Sequence, residues 1–111
     1  MKYSIFLRLK MQDNKWLTMG ARHTIPWDTR ELIAKSSGWL IMNSETMGKA
    51  NELIPKLQKG ILELSQNPNN YKNHDTPTET SIVEGTLDFY YQLLKDCQRY
   101  PYTDIYGKVQ A

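Results

Sequence analysis

The chain has one cysteine, two histidines and no apolar run near bilayer-spanning length, and each scarcity closes off a class of function. Cys97 alone can form neither an internal disulfide nor a cysteine-rich zinc site, which points to a reducing, cytoplasmic setting. A membrane helix needs about 18 apolar residues in succession. Arg8 and Lys10 break the opening MKYSIFLRLK too early for a signal-peptide core, so neither insertion nor export is expected. The six glycines fall at no spacing that would make a phosphate-binding loop, which disfavours nucleotide hydrolysis. Neither sign of charge dominates, the net value being +2, although residues 1 to 35 carry seven basic side chains against three acidic. Such an excess suits an acidic partner and falls short of a dedicated nucleic-acid domain. The sequence contains no internal repeat and no low-complexity tract.

What is present suffices for one ordered domain spanning residues 1–111, with a single core. Tyr3, Ile5, Leu7 and Leu9 alternate with Ser4, Phe6, Arg8 and Lys10, and Leu17, Met19, Ala21, His23 and Ile25 alternate after the polar QDNK. Two strands joined as a hairpin are the simplest reading. A three-residue loop, Asp13–Lys15, would pair Leu9 with Met19 and Leu7 with Ala21 and gather the apolar side chains on one face.

Residues 29 to 36 suggest a short helix stopped by Gly38, and WLIM, Trp39 to Met42, a buried run. Leu53, Leu57, Ile61 and Leu64 stripe a helix over about 51–65, with Glu52 and Lys56 as an i, i+4 pair and Pro55 either in the first turn or at a kink. Turn formers fill Asn67 to Thr80. Ser81 with Glu84 makes a capping box for a second long helix, striped by Val83, Leu87, Tyr90, Leu94 and Cys97 and ended by Pro101. A last strand follows in TDIYGKV. The class is therefore α+β: a small antiparallel sheet from the hairpin and the C-terminal strand, three strands in all, packed on two long amphipathic helices with one extra short helix.

In RHTIPWDTRE, residues 22–31, His23, Asp28 and Glu31 have the composition of a catalytic cluster. Their spacing has a structural account: Asp28 as N-cap with Glu31 three residues on, Trp27 stapling Leu32, and His23 on the inward face of a strand. A small enzyme using His23 stays open as an alternative. A metal site would need His23, Asp28, His74 and Asp75 to converge, so no metal and no cofactor are expected. Cys97, on an apolar stripe near a helix C-terminus, reads as a core thiol.

The constellation with more to offer is the outer face of the hairpin, where Phe6, Arg8, Lys10, Trp16 and Arg22 interleave aromatics with cations. Trp and Arg anchor protein interfaces, and the same mixture on a sheet holds single-stranded nucleic acid by stacking and phosphate contact. An edge hairpin also carries charge simply to resist aggregation.

Two segments, IPKLQKGILELSQNPNNY (Ile54 to Tyr71) and EGTLDFYYQLLKDCQRYP (Glu84 to Pro101), resemble small proteins of unassigned function encoded by phages and prophages. The similarity covers roughly residues 43–106 and rests on an early proline in the first helix, an Asn-Pro step before a tyrosine, and a short strand after the last helix. Where those proteins have a Gly-Trp-Gly-like segment, this chain has TETSIV. The resemblance implies an accessory protein in the host cytosol that binds a host protein, with a defence protein as a candidate target for inhibition, and it transfers no catalytic residue. Nucleic-acid binding by the same face is the alternative. Either a monomer or a homodimer is compatible with the sequence.

Overall fold

A computed structural model describes residues 1–74 and 82–110. The first alternation forms β1, Lys2–Lys10, and the second forms β2, Trp16–Pro26. A 3-10 turn at Trp27–Thr29 leads into α1, Arg30–Ser37. Next come β3, Glu45–Lys49, and α2, Ala50–Gln66. A 3-10 segment at Pro68–His74 precedes α3, Ile82–Arg99, and β4, Asp104–Gln110. The four strands pair antiparallel in the order β2-β1-β4-β3, giving an α+β fold.

The sheet thus has one strand more than the alternations predict. Glu45–Lys49, ETMGK, has no apolar alternation and is exposed except at Met47, because an edge strand held mainly by its neighbour's backbone needs none. The WLIM run is not uniformly buried: Trp39 enters the core while Leu40 is 69% exposed. That segment crosses towards β3, and its end is held by the backbone, the Tyr3 hydroxyl donating to the Met42 carbonyl at 2.5 Å.

The hairpin register also departs from expectation. Leu9 faces Leu17 and Leu7 faces Met19, around a five-residue turn closed by Met11 N–H donating to Lys15 C=O at 2.7 Å, with Asn14 at φ 65°. At the base, Ile5 faces His23 and Tyr3 faces Ile25. This is the register that pairing Leu7 with Ala21 would continue, so the expected alignment holds at the base alone. A bulge at Gly20–Arg22, opposite Phe6, absorbs two residues and shifts the distal half.

The helix starts follow different chemistry from that expected. Thr29, not Asp28, precedes α1, and no side chain caps it, because the 3-10 turn already winds Trp27–Thr29. Trp27 packs on Tyr3 with ring centroids 4.9 Å apart, and Glu31 pairs with Lys35 at 3.2 Å. Gly38 ends α1 at φ 76°, as its position requires. In α2 the Glu52 carboxylate accepts the Lys49 N–H at 3.0 Å as part of a capping box instead of reaching Lys56. Pro55 lies inside α2, past its first turn. The proposed Ser81 cap lies outside the described residues.

Both long helices turn the expected stripes inward, burying Leu53, Leu57 and Leu64 from α2 and Val83, Tyr90 and Cys97 from α3, while Ile61, Leu87 and Leu94 are half-buried against the core; Phe89 and Leu93 widen the α3 stripe. They meet where Gly60 admits the Tyr90 ring; a Cβ there would lie 2.5 Å from it. The Tyr90 hydroxyl then reaches Ser36 of α1 at 2.6 Å. On the sheet side, Tyr3, Ile5, Leu7 and Ile105 are fully buried. Tyr3 crosses Gly107 of β4, where any Cβ would overlap its hydroxyl.

Two predictions follow from this packing. Gly107→Ala should cost about 2–3 kcal/mol by displacing Tyr3. Gly85→Ala, on α3 with open space around the new methyl, should stabilise by about 0.5–1 kcal/mol. Urea unfolding of both variants against wild type checks the contrast. Burial also raises the Tyr3 and Tyr90 phenols above their ordinary value and pushes the Cys97 thiol up to about 12. The folded chain therefore keeps protons that the unfolded chain releases from about pH 9 upwards. The stability these groups contribute is complete below that pH and is lost as pH rises beyond it. The urea midpoint should accordingly fall steadily from pH 9 to pH 11.

Candidate binding face

Phe6, Arg8 and Lys10 point to the face of the sheet opposite the core, and pairing brings Trp16 across from Lys10 and Tyr106 across from Phe6. Strands on either side of β1 thus place one ring on each side of Arg8. Its guanidinium carbon is 4.1 Å from the Trp16 ring centroid and 3.8 Å from that of Tyr106. Lys10 adds a weaker contact, its ammonium 5.9 Å from Trp16. Contacts of this kind contribute about 0.5–1 kcal/mol each at exposed sites.

The stack leaves Arg8 fixed in position and without a counter-ion. Its Nε is buried without a hydrogen-bond partner, and no described carboxylate comes within ion-pair distance. Asp104, directly across on β4, is engaged by Lys49 at 2.7 Å. Lys2 and Lys108 share this face, so five cations stand against one neutralised carboxylate. Thr18, Thr24, Thr46 and Lys108 are exposed across it.

Four of the five residues singled out from the sequence are therefore neighbours, and the fifth is not. Arg22 lies in the bulge itself, at a cleft of about 210 Å³ with Asp88 and Gln92 of α3. The alternation that put it beside Arg8 is interrupted by Gly20, at φ 73°. Conversely, Tyr106, Lys49 and Lys108 belong to the face and were missed. The alternation of Asp104, Tyr106 and Lys108 was readable; the strand they would lie beside was not.

His23 faces inward and is 7% exposed. Its Nε2 lies 2.7 Å from Asp96 Oδ2, and the same oxygen accepts the Ala21 N–H at 3.0 Å. Asp96, on α3, sits so close to the bulge that a Cβ on Gly20 would lie 2.7 Å from it. Sequence reasoning passed over Asp96 because it is 73 positions from His23. Among the described residues no three His, Cys, Asp or Glu side chains gather as metal ligands, and no helix is long and apolar enough to cross a membrane.

No protein-family model, curated protein or solved structure matches the chain. The face is therefore read from its own chemistry.

The two clusters should separate by stability. Asp96→Ala strands the buried His23 imidazole and releases the Ala21 N–H to water, with an expected cost of about 2–3 kcal/mol. Arg8→Ala, which loses two ring contacts, should cost less, about 1–2 kcal/mol. Denaturant midpoints of the two variants measure the difference.

Proposed function

We propose that this protein is a non-catalytic binding protein that engages an acidic patch on a host protein through the outer face of its sheet. The observation that carries the reading is the unpaired Arg8 guanidinium held between Trp16 and Tyr106. A free arginine loses rotamer freedom when it binds, whereas this one is already ordered, so a partner carboxylate gains a charge-assisted bond at smaller entropic cost. Lys10 beside it, and Lys2 and Lys108 farther along the same face, favour an acidic partner and speed its approach. The resemblance of residues 43–106 to phage and prophage proteins supplies the setting, a host protein that this one occupies and, where the target belongs to a defence system, inhibits.

Single-stranded nucleic acid is the second reading, favoured by the same cationic face. It is the weaker one because Trp16 and Tyr106 turn their faces across the sheet towards Arg8, whereas base stacking uses rings laid open to solvent.

Capture from host lysate should recover a partner with wild type and lose it with Arg8→Glu combined with Trp16→Ala, the fold being checked by circular dichroism. Unchanged capture by the double variant would remove this face from consideration. Titration of single-stranded oligonucleotide at about 50 and 200 mM salt separates the second reading, since phosphate contacts lose affinity steeply across that interval.

A further inference from the structure

The hairpin has a second side. Leu17 lies on the same face of the sheet as Ile5 and Leu7, both fully buried, yet it is 46% exposed because it sits on the distal half, beyond the bulge. β2 is also an edge strand. The Met11–Lys15 hydrogen bond sets the alternation of the β1–β2 ladder. The N–H and C=O groups of Leu17 and Met19 face β1, and those of Trp16 and Thr18 face outwards.

The two edges of the sheet are treated differently by the sequence. β3 is short, carries Glu45 and Lys49, and has an irregular register between Thr46 and Lys49. These are the ordinary protections of an edge. On the distal side of the bulge, from Trp16 to Met19, the β2 edge has no charge, no proline and a regular register, and Trp16 and Leu17 are 41% and 46% exposed.

We infer that β2 pairs antiparallel with β2 of a second copy of this chain, about a two-fold axis at Leu17. The register follows from the geometry. An axis perpendicular to the sheet requires paired residues to share a face, and the outward-facing groups of Trp16 must meet those of Thr18. With Leu17 opposite Leu17, Trp16 pairs with Thr18 in both directions, giving four backbone hydrogen bonds among extended residues. The two leucines then touch on one face. Lys15 falls opposite Met19, so no like charges stand directly opposite, and Lys15 already has Asp13 at 4.0 Å. The chain itself thus supplies a complementary strand.

This pairing is independent of the Arg8 reading, because Leu17 points away from that face. Sedimentation equilibrium over about a hundredfold concentration range should show a species of twice the chain mass, and Leu17→Lys should be monomeric with an unchanged circular dichroism spectrum. A non-hydrogen-bonded pair brings two Cα atoms within disulfide range. Leu17→Cys should therefore cross-link two chains on mild oxidation, whereas Thr18→Cys, offset diagonally from its copy, should not. The buried Cys97 will not compete. A wild type that stays monomeric throughout, or Thr18→Cys cross-linking as readily as Leu17→Cys, overturns the proposal, the first outcome leaving the edge to a strand from another protein. Should Leu17→Lys fail to fold, the cysteine pair decides alone.

Discussion

The Asp96 carboxylate organises the hairpin. One oxygen accepts from both His23 and the Ala21 backbone, so the chain around Gly20 must curl about it, and the curl is the bulge. Below it β2 belongs to the core, with His23 and Ile25 buried beneath α3. Above it the hairpin loses the helical layer, and Leu17 is left exposed. A side chain on α3 thereby sets the boundary between the part of the sheet that stabilises the fold and the part free to meet something else.

The interaction also explains how far the sequence could be read. Strand and helix stripes such as Tyr3–Ile5–Leu7 and Leu53–Leu57–Leu64 are local and carry their own period, so they predicted both hairpin strands and both long helices. Gly38 and Pro101 acted as stops for the same reason. The bulge was not local: Gly20 becomes necessary only when Asp96 arrives from another element, and until then the alternation from Leu17 to Ile25 looks uninterrupted. β3 failed differently, since an edge strand with almost no buried face leaves no periodic trace.

The binding face shows the same division. Arg8, Lys10 and Trp16 were recognisable as a cluster because a hairpin joins them within a few residues. Tyr106, which completes the stack, comes from a strand almost a hundred positions away, and only the pairing of β1 with β4 puts it there. Its contribution alters the chemistry. With Trp16 alone Arg8 would be an ordinary surface cation resting on a ring; with Tyr106 on the other side it is held between two, and its anion-seeking edge has a fixed direction. Lys49 strengthens the effect by occupying Asp104, the carboxylate best placed to neutralise Arg8.

The two proposed surfaces of the hairpin reinforce each other. In an assembly paired through Leu17 about an axis perpendicular to the sheet, both Arg8 stacks lie on the same side. Three strand spacings of roughly 4.8 Å and an offset of two residues along the strand put them about 16 Å apart. That separation suits an acidic surface on one globular partner. Two weak contacts made together are held by the effective concentration of the second once the first has formed. A single stacked arginine is a modest anchor; a pair at fixed spacing selects for the spacing of the partner's carboxylates as well as for their charge. A face with only one uncompensated guanidinium at its centre can in this way become specific without becoming strongly basic, in keeping with a net charge of +2.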